Sequence, residues 1–283
     1  MFAGNLFFSY FHSSDYSLRM KVQLFTLFFV FTCLMAVGQD REKLFGNGEK
    51  KTKKNGFIVS VFGDFDVPAA DMAKMFGDSY RVGPAILYKS KHNWMFGAKC
   101  DFIIGNVVRQ DSLMINIRDK YSTQNTHLYE FINNNGERIG VPVDELGYTI
   151  ELQAGKIIPI SKHHPDNGIV LLGSAGFMQH KINIYDKDKT VSQLREPYLK
   201  GYDRLSNGTS VELYAGYIYF ARNGLTNFTL GLDALCGFTQ DRRSYLYDVM
   251  RTDNKQRLDI LFGLRGGWFI PMFRKKSEEM MFE

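Results

Sequence analysis

Hydrophobic and polar residues alternate along much of this chain with a period of two. In the stretch RLDILFGLRGGWFI, residues 257–270, one side is apolar while the other carries Asp259 and Arg265. A period of two with one apolar face indicates a β-strand. About eight segments have this pattern, and we predict strands at residues 57–67, 80–89, 94–105, 148–158, 168–184, 211–220, 226–238 and 258–270.

The connections between these segments are alternately long and short. The long ones are residues 68–79, 106–147, 186–208 and 240–256, and the short ones are residues 91–93, 161–167 and 222–224. Outer-membrane barrels have short periplasmic turns and long extracellular loops, and each tilted strand needs about 9–11 residues to cross the bilayer. The pattern therefore predicts an all-β fold, an eight-stranded antiparallel transmembrane β-barrel whose apolar face meets lipid. A secreted lipocalin-like barrel is the main alternative.

Two segments depart from the regular pattern. Pro84 lies in the middle of the second predicted strand, where it removes a hydrogen-bond donor, and we expect a β-bulge beside it. Residues 168–184 do not alternate cleanly, because the stretch VLLGSAGF mixes small and apolar residues. Both features count against a fully regular barrel.

The N-terminal part carries an export signal. From Met20 the chain has an early lysine, an apolar run at residues 24–37 and small residues at its end, which is the pattern of a secretory signal peptide. The run is shorter than the roughly 20 residues that a spanning helix needs. We therefore expect an overrun of the true start at residues 1–19, a signal peptide at 20–38, a periplasmic linker at 39–56, the barrel at 57–273 and a periplasmic tail at 274–283.

Composition agrees with an exported, strand-rich protein. The 283 residues include 24 Phe, 15 Tyr and 26 Gly but 7 Pro, which favours strands over a helical bundle. Lys and Arg are mostly scattered and the formal net charge is +5, so we expect no nucleic-acid partner. We interpret Cys100 and Cys236, on the apolar faces of distant strands, as small hydrophobic residues rather than a disulfide.

Charged residues recur on the polar sides of the predicted strands. If the apolar sides face lipid, these residues point into the barrel; they are Lys99, Asp101, Glu151, Glu212, Asp233, Asp259 and Arg265. Two carboxylates could act as a general acid and a general base. A small barrel, however, has an interior just wide enough for side chains, so we expect opposite charges to pair and seal it. This structural charge network argues against a diffusion porin.

No motif nominates an active site. The histidine pair in HHPD, residues 163–166, has no visible third ligand and fits a turn better than a metal site. The stretch YDKDKT lacks the glycine and the closing glutamate of a calcium loop. We predict no catalytic residue, no cofactor-binding residue and no metal ligand.

The long loops and the tail contain aromatic residues and arginines that a solvated loop does not need. Such residues could fold over the barrel mouth, or they could form a protein interface, where Tyr and Arg are enriched. The candidate interface residues are Tyr129, Phe131, Tyr198, Tyr202, Arg204, Arg242, Arg243, Tyr245 and, in the tail, Phe282.

The mature chain resembles a known group of barrels. The signal ending AVGQD, the eight-strand layout and the phrases GFMQHKINIYDKDK, LKGYDRL and LFGLRGGWFIP are similar to small outer-membrane β-barrel proteins of Bacteroidota. Within that group, the chain resembles the accessory barrels of the type IX secretion (gliding-associated) system. The likeness is one of general pattern, with no catalytic motif to carry over.

The resemblance implies a non-enzymatic accessory or scaffold subunit in a secretion or assembly complex. Its expected partners are outer-membrane lipid and a larger outer-membrane or periplasmic protein complex, with no cofactor. Two alternatives remain open. One is a lipid-modifying barrel enzyme, and the other is a free-standing barrel that binds a small ligand or stabilises the envelope.

Overall fold

The computed structural model describes residues 54–110, 112–119, 128–161, 164–221 and 226–273. The expected signal peptide, most of the linker and the tail with Phe282 lie outside these residues. Chain contacts separate the unit Met1–Glu49 from the unit Lys50–Glu283, and all described residues belong to the second unit.

The second unit is built almost entirely of antiparallel strands. They are β1 (Gly56–Ala70), β2 (Ser79–Lys89), β3 (Trp94–Gly105), β4 (Leu128–Ile132), β5 (Arg138–Ser161), β6 (His164–Ile184), β7 (Ser206–Tyr219), β8 (Phe228–Asp241) and β9 (Gln256–Phe273). One short helix, α1 (Met72–Met75), follows β1, and two 3-10 turns, Ser192–Leu194 and Tyr198–Gly201, lie between β6 and β7. None of the helices in the described ranges is long and apolar enough to span a membrane.

Eight of the nine strands form a closed ring. The strand order is β3-β2-β1-β9-β8-β7-β6-β5, and β3 pairs with β5 to close it. The closing register runs from Trp94 opposite Lys156 to Gly105 opposite Glu145. Closure pairs the backbone groups that an open sheet edge would leave exposed, which is what a membrane-spanning sheet requires. The prediction of an eight-stranded antiparallel barrel is confirmed.

The third connection differs from the prediction of one long loop. Residues 138–147 extend β5, and the ninth strand, β4, pairs with this extension from Leu128 opposite Pro142 to Ile132 opposite Arg138. Tyr129, Phe131 and Val141 point inward and are buried. Charged residues between these positions mask the alternation in the sequence, so the sequence alone predicts a loop where the structure has the β4–β5 hairpin.

Pro84 is accommodated without the expected bulge. The register between β2 and β3 is the same on both sides of the gap, with Val82 opposite Phe102 and Ala85 opposite Lys99. Pairing of Pro84 with Val61 of β1 also continues without a shift. The missing donor therefore opens the ladder locally towards β3, and no extra residue is inserted.

The two faces of the wall differ sharply in chemistry. Leu264 is 53% exposed on the outside, whereas the next residue, Arg265, is 4% exposed and points into the lumen. The same alternation runs through β1, where Phe57, Val61 and Phe65 are exposed. An apolar outer face over charged inner positions is the reverse of a soluble barrel, and it fits a wall that faces lipid.

Candidate functional site

A layer of charged side chains fills the middle of the lumen. Each of its members occupies an inward position of the strand alternation, and each is almost fully buried. The cations are Arg81, Lys99 and Arg265, and the anions are Asp64, Asp66, Asp101, Glu151, Glu212 and Asp233. We call these residues the lumen charge layer.

Glu212 on β7 is the hub of the lumen charge layer. Its carboxylate accepts hydrogen bonds from Arg81 Nη1 at 2.7 Å and from Lys99 Nζ at 2.9 Å. It also accepts one from Arg265 Nη1 at 2.9 Å. The three donors come from β2, β3 and β9, so one carboxylate links both sides of the barrel.

Each arginine of the layer also clamps an aspartate of β1. Arg81 donates to both oxygens of Asp66, at 2.7 and 2.8 Å, and Arg265 donates to both oxygens of Asp64, at 2.8 Å each. Such bidentate pairs fix orientation as well as charge. The guanidinium of Arg265 also lies 4.6 Å from the ring centroid of Phe62, within the range of a cation–π interaction.

Lys99 completes the layer on the opposite wall. Its Nζ atom contacts Asp101 on the same strand and lies 3.3 Å from Glu151 Oε2 on β5. Ser210 donates a further hydrogen bond to Glu151 at 2.5 Å. Lys99 therefore anchors the acids on the β3–β5 side.

Six of the seven charged lumen residues predicted from the sequence meet in the lumen charge layer. They are Lys99, Asp101, Glu151, Glu212, Asp233 and Arg265. Asp259 lies apart from them, nearer the long loops, where its carboxylate is 3.0 Å from His180 Nε2 and accepts a hydrogen bond from Thr239. Because no other lumen strand places a basic side chain within ion-pair distance of Asp259 in the described structure, His180 is its partner.

Sequence reasoning missed three members of the layer. Arg81 stands between the outward residues Tyr80 and Val82, so the alternation already placed it inside. Asp64 and Asp66 flank the outward Phe65 in the same way. Arg81 lies near one end of β2 and the other charge of that strand, Lys89, lies at the opposite end, so the sequence showed no cluster of charges there.

The short-turn end of the lumen is closed by an apolar layer and an ion pair. The apolar residues are Ile58, Leu87, Met95, Ile157, Val170, Leu172, Tyr214, Ile218 and Phe269. Below them, the Nζ atom of buried Lys89 lies 2.7 Å from Oδ1 of Asp166, near the start of β6. A cavity of about 50 Å³ remains between this layer and Arg265.

The long-loop end is covered by a cap with its own hydrophobic core. This core combines α1, the β3–β4 loop, the β4–β5 hairpin and the β6–β7 loop with inward residues at the long-loop ends of β3, β6, β8 and β9. Its members are Met72, Met75, Phe76, Ile103, Val108, Leu113, Met114, Tyr129, Phe131, Val141, Val143, Met178, Ile182, Ile184, Val191, Leu194, Tyr202, Leu235 and Leu261. The cap, the lumen charge layer and the apolar layer therefore occupy the barrel interior in succession.

Polar contacts tie the loops of the cap together. Asn116 donates to the Tyr202 hydroxyl and to the Tyr247 carbonyl, both at 3.2 Å, and so joins three loops. Arg243 Nε donates to Asp203 at 2.7 Å, and this hydrogen bond raises the pKa of the Arg243 guanidinium. Arg204 forms an ion pair through Nη2 with Asp248. The cap is a cross-linked unit rather than a set of independent loops.

The cap changes the set of candidate interface residues. Four of the residues proposed as an exposed interface are buried inside the cap and are not available at the surface. They are Tyr129, Phe131, Tyr202 and Arg204. Their side chains leave water by packing over the mouth, which was the other possibility raised by the sequence. Arg242 and Arg243 bind Asn207 and Asp203.

Among the described candidates, Arg242 and two tyrosines are exposed. Tyr198 is 57% exposed and Tyr245 is 41% exposed. Tyr245 packs against Tyr247, whose ring in turn contacts Tyr202. The rings at the surface are therefore continuous with the cap core.

The described structure offers no ready-made metal site. Within its residue ranges, no group of three or more His, Cys, Asp or Glu side chains is arranged to hold a metal ion. Of the HHPD segment, His164 and Asp166 are described and belong to the end of β6.

The closed ring, the apolar outer face and the filled lumen define a small transmembrane β-barrel. Closed barrels of this kind span the outer membrane of Gram-negative cells, and this is where the protein resides. No family model matches the chain, and the comparison with curated proteins gave no match.

Several solved outer-membrane proteins have a similar architecture. Neisserial surface protein A is 9% identical, with 76% of this chain and 97% of that chain covered at a TM-score of 0.42. The attachment invasion locus protein Ail of Yersinia pestis, in a complex with a heparin analogue, is 12% identical, with 77% and 99% covered at a TM-score of 0.37. OprG of Pseudomonas aeruginosa is 12% identical, with 78% and 99% covered at a TM-score of 0.34. The likeness is one of fold alone.

Proposed function

We propose that the protein is a non-enzymatic barrel that serves as an accessory or scaffold subunit of a secretion or assembly complex, of the type IX secretion kind. The observation that carries this proposal is the filled lumen, in which Glu212 joins Arg81, Lys99 and Arg265 below the cap. A barrel filled with paired side chains offers its outer surfaces, rather than its interior, for work.

The same burial supports a role without catalysis. Each acid of the lumen charge layer lies within ion-pair distance of a guanidinium or ammonium group, so its negative charge is compensated. They also lie beneath the cap core, away from any bulk substrate. A general acid or base must reach the substrate within hydrogen-bond distance.

The cap supplies a rigid surface for a partner. Tyr198 and Tyr245 project from loops that the Arg243–Asp203 and Arg204–Asp248 pairs hold in place. Exposed tyrosines on a fixed frame lose little entropy on binding, and tyrosine is enriched among residues that dominate binding energy. We propose a protein complex as the partner of this surface.

A pull-down from gently solubilised outer membranes, followed by mass spectrometry, tests the proposal. The tagged wild-type barrel should retain a defined set of envelope proteins, and the double variant Tyr198→Ala/Tyr245→Ala should lose them. The matched control is Tyr88→Ala. Tyr88 is an exposed tyrosine at the short-turn end of β2, away from the cap, so this variant should retain the envelope proteins.

A second variant separates the cap from the tail. Deletion of residues 277–283, which lie outside the described structure, should leave the complex intact if the cap is the interface. Loss of partners only on this deletion would assign docking to the tail. A wild-type barrel that retains no partner at all would contradict the scaffold function and favour a free-standing barrel.

A further inference from the structure

The lipid-facing wall is almost free of charge. The outward positions of β1, β2, β3, β7, β8 and β9 carry no charged residue. On β5 and β6, the outward charges are Arg138, Asp144, Lys156 and Lys181, and all except Lys156 lie at the long-loop end of these strands. Lys156 is therefore a single cation on the periplasmic half of an apolar surface.

Lys156 lies close to the periplasmic boundary but within apolar surroundings. It pairs in register with Trp94, the first residue of β3 after the short turn at residues 90–93. Its Nζ atom is 5.2 Å from the centroid of the Trp94 ring. Further along β5, Ile158 and Ile160 are exposed on the same face.

A lysine in this position requires a counter-charge. No acidic side chain of the described structure forms an ion pair with Lys156. An ionisable residue on a lipid-facing surface is costly unless it reaches the interface or an anion, and its presence marks a functional site. Trp and Lys together are typical of the height at which lipid headgroups lie.

A groove leads from Lys156 along the outer wall. It has a volume of about 680 Å³, and its floor is formed by small residues, Ala154, Gly173 and Ala215. Leu171 and Leu213 stand along it, and Trp94 lies at its end beside Lys156. The outward side chains along the groove are apolar except for Lys156, and Tyr214 and Asp233, which also line it, are buried on the lumen side. The groove therefore suits a hydrocarbon chain that ends in a negative group.

We propose that Lys156, Trp94 and this groove bind an anionic phospholipid of the periplasmic leaflet. The phosphate contacts the Lys156 ammonium, and one acyl chain lies over Ala154, Gly173 and Ala215. Charge complementarity selects the phosphate, and the position next to the short turns selects the periplasmic leaflet, whose headgroups lie at that height. The carboxylate of a partner protein is the competing source of the counter-charge, but it would leave the long apolar groove without an occupant.

Native mass spectrometry of the detergent-solubilised barrel tests the site. The protein is titrated with phosphatidylglycerol and, separately, with diacylglycerol of the same chains, which lacks the phosphate. Wild type should bind one phosphatidylglycerol saturably and diacylglycerol weakly. Lys156→Gln should weaken phosphatidylglycerol binding by about fivefold or more, because one lysine near a membrane surface contributes that much attraction.

Two further variants make the result specific. Lys181→Gln removes the outward lysine at the opposite end of the wall and should bind phosphatidylglycerol like wild type. Gly173→Leu fills the groove with a side chain and should weaken phosphatidylglycerol binding. A Cβ atom at this position would meet no atom closer than 3.8 Å, so the barrel wall should accept the substitution. Heat-modifiable mobility on gels checks that each variant is folded.

Three outcomes would overturn the proposal. Equal binding by wild type and Lys156→Gln would show that the lysine is a solvated charge. Equal weakening in Lys156→Gln and Lys181→Gln would reduce the effect to net charge. Absence of saturable lipid binding, together with release of a co-purifying protein by Lys156→Gln, would assign the counter-charge to a protein acid.

Discussion

Arg265 on β9 and Glu212 on β7 meet inside the barrel, with Nη1 of the arginine 2.9 Å from Oε1 of the glutamate. The strand between them, β8, adds Asp233 to the same cluster, 3.7 Å from Arg265 Nη2. The contact therefore joins strands that are not neighbours in the sheet. Hydrogen bonds between adjacent strands close the wall, and this contact adds a link between β7 and β9 across the lumen side of β8.

Arg265→Ala should destabilise the barrel by about 3–5 kcal/mol, because it removes the bidentate partner of buried Asp64 and one of the three cations that contact Glu212. The measurement is the free energy of unfolding in denaturant, in lipid vesicles. The double variant Arg265→Ala/Asp64→Ala should be less destabilised than the sum of the single variants, because it removes one of the stranded charges. Additive losses would mean that the two groups do not interact.

Gly263 tests how tightly the lumen charge layer is packed. A Cβ at this position would lie 2.3 Å from Asp233 Oδ1 and 2.6 Å from Asp66 Oδ1, and Arg81 holds both carboxylates in place. Gly263→Ala should therefore cost about 1–3 kcal/mol, as overpacking does.

The matched control for Gly263 lies three residues further along the same strand. Gly266 faces outward, and a Cβ there meets nothing within 4 Å. Gly266→Ala should change the free energy of unfolding by less than about 0.5 kcal/mol. Equal effects of the two substitutions would indicate a general strand effect rather than a clash with the carboxylates.

The barrel could be predicted from the sequence because lipid imposes one rule on every strand. Residues such as Phe262, Leu264 and Ile270 must face outward, and this fixes the position of Arg265 by alternation. The cap obeys no such rule. Phe131 on β4 and Tyr202 in the β6–β7 loop are buried by contacts between segments that are distant in the chain, and charged neighbours mask them in the sequence.

The sequence also could not predict which residue each charged side chain of the lumen contacts. Alternation places Glu212 inside, but its contacts with Arg81 and Lys99 depend on barrel diameter and strand stagger. Those quantities emerge only when the ring closes. The separation of Asp259 from the lumen charge layer has the same origin, because height along the barrel depends on stagger as well as on position in the strand.

The lipid face predicts a depth-dependent cost for charge. Leu264 lies near the middle of β9, so Leu264→Arg should destabilise the barrel by roughly 2–4 kcal/mol, the cost of a basic residue near the bilayer midplane. Leu258→Arg, at the long-loop end of the same face, should cost about 0–1 kcal/mol. Unfolding in vesicles measures both. A harmless Leu264→Arg would contradict a lipid-facing outer wall.

The cap should open without loss of the barrel when its ion pairs are removed. Arg243 holds Asp203 through two guanidinium nitrogens, so Arg243→Gln should free the loop between β6 and β7 and expose Tyr202 and Tyr247 to chymotrypsin in intact cells. Heat-modifiable mobility should remain normal, because the ring and the lumen charge layer are untouched. Arg251→Gln, an exposed arginine in the same loop as Arg243, is the matched control and should leave the cap resistant. If Arg243→Gln is as resistant as wild type, the hydrophobic core of the cap is sufficient by itself, and its ion pairs contribute as little as exposed surface pairs usually do.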